Sequence, residues 1–195
     1  MTSAIEFVDE HGLEAMTMRS LGEKIGVDPT AVYRHFPNKE DLVNAMADWF
    51  FGLIRGQLGA DTAPARERIL DIARTTRASF ALHPALGVAA VHSTGNSVNG
   101  FHVTTAAIGC LEEIGVPAAD LPVVYQALEG FVFGACLMDY IGSPTNWEVR
   151  RYRYRALEKD AFDAVAKNTD SVRGVADDAF ARGFTTLLDS LTNSR

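Results

Sequence analysis

Apolar residues recur every three to four positions through most of the chain, and no sustained alternation of apolar and polar residues appears. A period near 3.6 residues is typical of amphipathic helices, so the pattern predicts an all-α protein without an internal repeat. One or two further helices are expected in the less regular stretch 146–167. The predicted helices cover about residues 3–11, 18–25, 29–36, 39–58, 65–82, 84–91, 98–114, 121–141 and 172–192.

Helix-ending and helix-starting residues divide the first 58 positions into short elements. Thr17 is the expected N-cap of the second helix, because its hydroxyl can accept from a free amide. Gly26 supplies a tight turn, and Asp28-Pro29 is a strong helix start. Two short helices joined by a glycine-containing turn are typical of a helix-turn-helix. Residues 59–64 then form a predicted linker, which divides the chain into domains 1–58 and 59–195.

The charge balance by itself argues against binding to nucleic acid. The formal net charge is -7, and residues 1–48 carry four Lys or Arg residues against nine Asp or Glu residues. The segment 17–39 reverses this balance, with four cations against Glu23 and Asp28. A local constellation, and not the bulk charge, therefore carries the prediction of DNA binding.

The predicted recognition helix begins with small residues, which let a helix approach base edges in the major groove. Arg19 can reach a guanine bidentately. Lys39 lies in the first turn of a helix, where the dipole disfavours a cation unless a phosphate binds there. The expected DNA contacts are Thr17, Arg19, Pro29, Thr30, Ala31, Tyr33, Arg34, His35 and Lys39. Solvated arginines, a half-buried Tyr33 and a carboxylate partner for Lys39 are the alternatives.

Two later helices carry more apolar surface than one helix of a small protein needs. The helix 121–141 is apolar nearly all round between Phe131 and Met138, and the helix 172–192 has a wide apolar stripe. Gly130 and Gly134 lie four residues apart, so another helix can approach closely on that face. These helices form either a dimer interface or the core of a monomer.

Polar and aromatic side chains share faces of the middle helices, as in a pocket for a small molecule. The candidate ligand-binding residues are His83, His92, Phe101, His102, Thr105, Tyr125, Glu129, Phe133 and Trp147. For each histidine the alternative is a satisfied core or surface residue. The run of arginines in 150–155 is a solvated helix face or, alternatively, an anion site.

Enzymatic and membrane functions find little support in the sequence. His83, His92 and His102 could ligate a metal with Glu112 or Glu129, but no tight ligand spacing or glycine-rich phosphate loop appears, so we expect no metal. Cys110 and Cys136 lie in apolar surroundings and are expected as reduced thiols. With no run near the roughly 18 apolar residues of a membrane span and no secretory signal, we expect a cytoplasmic protein.

The N-terminal segment resembles the DNA-binding domain of the TetR family of repressors nearly position by position. The family's Thr-x-Arg opening, Gly-Val turn, Tyr-x-His-Phe end and Asn-Lys-Glu-x-Leu entry occur here at 17–19, 26–27, 33–36 and 38–42. Segments such as HPALGVAAV and FARGFTTLLDSL are similar to the branch related to the tetracycline repressor. The resemblance is strong over residues 1–58 and weaker beyond.

The resemblance implies a repressor without a cofactor, which leaves a palindromic operator when a small-molecule effector binds. It implies that residues 59–195 bind the effector and form a homodimer through a four-helix bundle. The interface residues are then Phe131, Gly134, Phe180, Phe184, Leu187 and Leu188. Control without a small molecule is the alternative. Many relatives carry a basic arm before the first helix, whereas this sequence starts almost at that helix, so either its natural N-terminus is longer or fewer phosphates are contacted.

Overall fold

The computed structural model describes residues 1–59, 62–92, 97–140 and 172–192. These described ranges contain α-helices and no strand, which confirms the predicted all-α class. Trp147, the helices predicted in 146–167 and the arginines of 150–155 lie outside them. The helices are α1 (Thr2–His11), α2 (Met18–Ile25), α3 (Pro29–Tyr33), α4 (Lys39–Gln57), α5 (Ala65–Leu82), α6 (Pro84–His92), α7 (Val98–Ile114), α8 (Leu121–Tyr140) and α9 (Val172–Thr192).

The turn between α2 and α3 is built by caps and glycines. The Thr17 hydroxyl accepts from the Ser20 N–H at 2.9 Å and begins α2. Gly26 ends α2 at φ 72°, a left-handed conformation that favours glycine. A Cβ on Gly22 would lie 3.0 Å from the Val27 carbonyl oxygen, so glycine lets the turn pack directly on α2. The predicted helix-turn-helix geometry therefore follows from local sequence.

Helix α3 ends at Tyr33, earlier than the predicted end near Phe36. The chain still turns here, because the amides of His35 and Phe36 both donate to the Val32 carbonyl, at 3.0 Å. Pro37 disfavours helical geometry in the residue before it, which explains why the last turn tightens and stops. The C-terminal boundaries of α4 and α6 differ from the prediction by one residue, which is ordinary fraying.

The chain divides into two compact units, Met1–Leu121 and Pro122–Arg195. Helix α4 is central to the first unit, because it contacts α5, α6 and α7. Its buried face consists of Leu42, Met46, Phe50 and Ile54, spaced four residues apart. Phe50 is fully buried, and its ring meets that of Phe80 edge to face at 5.6 Å between centroids. The predicted domain boundary after residue 58 therefore lies inside the first compact unit, because the preceding helix α4 packs against α5, α6 and α7 of that unit.

The second unit has an aromatic core between α8 and α9. The Phe131 ring lies 5.7 Å from Phe180 and 6.3 Å from Phe184, centroid to centroid. Phe180, Phe184 and Leu188 are buried within the single chain. A Cβ on Gly183 would lie 2.8 Å from the Phe131 ring, so the two helices are in close contact. Four residues expected at the dimer interface, Phe131, Phe180, Phe184 and Leu188, are therefore packed within the protomer, and we expect a charge at Phe184 or Leu188 to destabilise this unit.

Most of α8 is uncovered in the single chain. Its segment Leu121–Asp139 is long and apolar enough to cross a membrane by length and composition, contrary to the sequence expectation, and 22% of it is buried. One such helix is weak evidence for a membrane, because core helices of soluble proteins pass the same test. Val123 and Met138 are 68% and 52% exposed. An exposed apolar surface of this kind is typical of a site that contacts another protein or a membrane.

Candidate nucleic-acid interface

The two short helices α2 and α3 present polar and cationic side chains to solvent. The Arg19 side chain is 83% exposed at the start of α2, and its Nε donates to Glu23 Oε1 at 3.0 Å. Tyr33, Arg34 and His35 are exposed at the end of α3. Exposed i,i+4 ion pairs are weak, so Arg19 can exchange its Glu23 partner for another acceptor at little cost.

The start of α3 is organised by one aspartate. Asp28 Oδ1 accepts from both the hydroxyl and the backbone N–H of Thr30, at 2.6 and 2.9 Å. The Thr30 hydroxyl and then its N–H lower the pKa of Asp28. Because the Thr30 hydroxyl proton is directed to Asp28, its oxygen and methyl group are what α3 presents outward. Pro29 and Ala31 beside it are only half exposed.

Lys39 has a protein partner at the start of α4. Its Nζ donates to the Leu13 carbonyl at 3.1 Å, in a partly buried position. The ammonium therefore ties α4 to the loop before α2, and among the described residues its partner is this carbonyl and not the carboxylate given as the alternative. Two ammonium protons remain for other acceptors.

A second lysine joins α1 to α2. Lys24 Nζ donates to Glu10 Oε2 at 2.6 Å and lies 5.9 Å from the centroid of the Phe7 ring. That hydrogen bond, with the charge of Lys24, lowers the pKa of Glu10. Lys24 thus orients α2, the helix that carries Arg19. Lys24 itself was not among the predicted DNA contacts.

The predicted ligand-binding residues divide between the two units. His83, His92, Phe101, His102 and Thr105 belong to the first unit, Tyr125, Glu129 and Phe133 belong to the second, and Trp147 lies outside the described residues. Phe101 is 70% exposed on α7, beside the exposed His102 and Thr105. On α8 the Tyr125 hydroxyl donates to Glu129 Oε1 at 2.8 Å.

His83 joins the first helix to the body of the first unit. Its Nδ1 lies 2.8 Å from Asp9 Oδ2 on α1, and its ring meets Trp49 edge to face. In the part of the chain that the structure describes, no group of three or more His, Cys, Asp or Glu residues is placed to hold a metal ion. A groove of about 490 Å³ opens between α1, α2 and α3, and its described lining includes none of the predicted ligand-binding residues whose placement the structure gives.

Sequence reasoning missed a polar cluster between α4 and α7, which we call the α4–α7 clamp: Asp48, Arg55, Ser97 and Asn99. Asp48 Oδ1 accepts from the Ser97 hydroxyl at 2.8 Å and from the Asn99 N–H at 2.9 Å. Asp48 Oδ2 accepts from the Asn99 side-chain amide at 2.9 Å, and Asn99 Oδ1 accepts from the Arg55 guanidinium at 3.1 Å. Ser97 is the N-cap of α7, and this capping position was the available signal.

The clamp keeps Asp48 ionised. Burial raises the pKa of Asp48, but the hydrogen bonds from the Asn99 N–H, the Ser97 hydroxyl and the Asn99 amide together lower it below its ordinary value. A lowered folded-state pKa means that the carboxylate stabilises the fold above the unfolded pKa of about 3.9 and ceases to do so as the pH falls through the folded value.

Asp48→Asn is therefore expected to destabilise the protein by about 1–3 kcal/mol at pH 7, because bonds to a charged acceptor are lost. The difference from wild type should begin to shrink as the pH falls below about 4 and should disappear as the pH passes through the lower folded-state pKa of Asp48, where the wild-type carboxylate is itself protonated. Urea denaturation from pH 7 to pH 3 measures both. Asp71→Asn is the control, because Asp71 is exposed on α5 and its ion pair contributes little. A difference that stayed constant down to pH 3 would contradict the assignment.

Comparison with known proteins fits this geometry. The family described as "Bacterial regulatory proteins, tetR family" matches residues 1–46, which cover α1 to α3 and the first turns of α4. An HTH-type transcriptional repressor of Mycobacterium tuberculosis is 27% identical over 71% of this chain. The alignment covers 55% of that protein, so the chain spans about half the length of the first curated relatives it matches.

Full-length similarity comes from two further proteins. The tetracycline repressor class A from transposon 1721 of Escherichia coli is 26% identical over 99% of this chain and 88% of its own length. A crystal structure described as a possible TetR family transcriptional regulator from Streptomyces coelicolor A3(2) superimposes with a TM-score of 0.80, at 25% identity, over 100% of this chain and 97% of that one.

Residues 1–46 thus match the TetR family, and the whole chain has the fold of a structure described as a possible TetR family transcriptional regulator. Within the family, a TetR from Acinetobacter baumannii has the same fold in complex with minocycline, with a TM-score of 0.72 at 22% identity over 100% of this chain and 94% of that one. BioQ has the fold with its double-stranded DNA operator, with a TM-score of 0.66 at 23% identity over 98% of this chain and 94% of that one.

Proposed function

We propose that this TetR-family chain is a cytoplasmic transcriptional repressor that binds a palindromic operator as a homodimer and leaves it when a small molecule binds. The observation that carries the proposal is the set of exposed side chains on α2 and α3. Arg19 at one end and Tyr33, Arg34 and His35 at the other suit base edges and phosphates respectively. The cations act locally, because the surrounding domain is acidic.

The proposed dimer uses the uncovered face of α8. Val123, Gly130, Gly134 and Met138 follow one another at helical spacing, and a Cβ on either glycine would meet nothing within 4 Å in the chain itself. We assign this face to α8 of a second copy, because small residues let two helices approach closely and a palindrome requires two-fold symmetry. Leu187, which is half-buried on α9, remains the predicted contact from that helix.

For the effector, the supporting feature is the exposed aromatic and polar surface of α7. A helix that only filled a core would not need Phe101 and His102 in solvent. In this proposal residues 1–58 bind DNA and residues 59–195 bind the effector and the partner copy. The effector acts by preferring a conformation whose recognition helices no longer match the two half-sites.

The proposal is tested by selecting double-stranded DNA from a random pool with the purified protein. The expected result is a palindrome whose half-sites are about one helical turn, or a multiple of it, apart. A library of small molecules is then screened for release of this operator. Linkage requires that a true effector and the operator lower each other's affinity by the same factor, typically about 5–150-fold.

Enrichment of no sequence would overturn the proposal as a whole. Enrichment of a palindrome together with molecules that bind the protein but leave operator affinity unchanged would remove the regulatory part alone. In that case the protein binds DNA without control by those molecules.

A further inference from the structure

The α4–α7 clamp lies on the helix that carries the DNA-binding end of the protein. Lys39 begins α4, and Asp48 follows it by nine residues, about 13 Å along the helix axis. From Asp48 onward the same helix runs beside the start of α7. Any rotation of α4 about Asp48 therefore moves the Lys39 end, and with it the helix-turn-helix, relative to α7.

The clamp holds α4 in one orientation by directional bonds. Both carboxylate oxygens of Asp48 are used, and the Asn99 amide also donates to the Asp48 backbone carbonyl at 3.2 Å. Hydrogen bonds to an ionised acceptor are short and geometrically selective, whereas the apolar contacts of Phe50 and Ile54 tolerate small rotations. The polar cluster is thus the part of this contact that specifies an angle.

Two glycines fit the helices closely at the clamp. A Cβ on Gly52 would lie 3.2 Å from the Asn99 amide nitrogen, and one on Gly100 would lie 2.8 Å from the Ser97 hydroxyl. The side chains that bind Asp48 therefore have little room to move, and a methyl group at position 52 would require the Asn99 side chain to shift by a few tenths of an ångström.

We propose that the α4–α7 clamp sets the half-site spacing that the dimer accepts in its operator, with Asp48 as the positioning residue. The inference rests on the proposed function. Turning α4 by about 7° about Asp48 moves Lys39 by about 1.7 Å, and the two protomers of a symmetric dimer together then change the half-site separation by about one base-pair step of DNA. A clamp that fixes the angle selects one spacing, and a chain without it accepts several.

The test measures how strongly the protein distinguishes the selected operator from versions with one base pair added or removed between the half-sites. Wild type should prefer one spacing. Asp48→Asn brings a second amide against the Asn99 amide, donor facing donor, and should reduce the preference by about fivefold or more, the lower range of coupling between sites. A defect in DNA contact, by contrast, would weaken binding at every spacing alike.

Exchanging the two side chains provides a rescue. In the double variant Asp48→Asn with Asn99→Asp, the carbonyl at position 48 accepts from Ser97 and the amide N–H of residue 99. The NH₂ group at position 48 donates to the carboxylate at position 99, and this carboxylate also accepts from Arg55. The double variant should regain most of the spacing preference, and Asn99→Asp alone should lose it, because two carboxylates then face each other.

A matched pair on α4 covers the case in which Asp48→Asn does not fold. Gly52→Ala places a methyl group against Asn99, whereas Gly56→Ala, one turn later, meets open space. Both raise helix propensity equally. Only Gly52→Ala should broaden the accepted spacing, and thermal melts confirm that both variants are folded.

Unchanged spacing preference in folded Asp48→Asn and Gly52→Ala proteins overturns the inference and leaves the proposed function standing. A wild-type protein that binds a palindrome without preferring any spacing also overturns it. A wild-type protein that binds no palindrome removes the proposed function and the inference together. The inference is supported if Asp48→Asn and Gly52→Ala both lose the spacing preference and the double variant Asp48→Asn with Asn99→Asp regains it.

Discussion

Leucine in place of Gly134 is expected to leave the protomer folded and to abolish the proposed dimer. In the single chain a Cβ here meets nothing within 4 Å, and leaving glycine in a helix interior costs about 0.5–1 kcal/mol relative to alanine, so protomer stability should rise. At a close helix contact the added side chain overpacks the interface. Overpacking costs about 1–3 kcal/mol per site, and two-fold symmetry counts it twice, which gives about 2–6 kcal/mol.

Sedimentation velocity over a concentration series measures the dimer dissociation constant, which should rise by about 30-fold or more. Gly56→Leu is the matched control, because Gly56 is exposed on α4 and also faces open space. The control should remain dimeric. A Gly134→Leu protein with unchanged dimer mass would exclude this face of α8 as the interface. Phe184 is unsuitable for such a test, because it lies in the core of the protomer.

Arg19→Ala is expected to weaken binding to the selected operator by about 1–3 kcal/mol and to relax selectivity at one base position. The reason is that Arg19 is exposed at the start of α2, where its partner among the described residues is Glu23. Lys39→Ala should instead weaken all sequences alike and reduce the salt dependence by about one unit of slope, as expected for loss of one phosphate contact.

Binding of wild type and variants to the operator and to single-base variants of it, at several salt concentrations, separates the two roles. Glu23→Gln is a useful companion, because it frees Arg19 and should not weaken binding. Arg74→Ala, an exposed arginine on α5, is the control for loss of positive charge elsewhere. Equal effects of Arg19→Ala on every sequence would show that Arg19 contacts phosphate and not a base.

Helix positions followed from the sequence because they depend on local chemistry. Thr17, Asp28 and Asn38 each accept from an amide within three residues, so their capping roles are visible in the order of residues. The predicted end of α3 near Phe36 was wrong because the regular helix ends at Tyr33, and residues 34–36 form a tighter turn before Pro37. The apolar stripe of α9 was also visible, but not which partner it meets.

Choosing between partners requires the tertiary structure. An apolar face looks the same in sequence whether it packs inside the protomer or against a second copy, and the structure directs Phe180 and Phe184 inward while Gly130 and Gly134 stay open. Lys39 was predicted as a phosphate contact from its position in α4, whereas its bond to the Leu13 carbonyl depends on a loop 26 residues away.

The sequence by itself determined the all-α class, the helix-turn-helix and the resemblance to the TetR family, because caps, turns and 3.6-residue periodicity act over a few residues. Only the tertiary structure decided that Asp48 on α4 meets Ser97 and Asn99 at the start of α7, about fifty residues later. Nothing local marks an aspartate on a half-polar helix as a clamp. Its hydrogen bonds exist only because the apolar face of α4 has packed beside α7 and brought the two segments together.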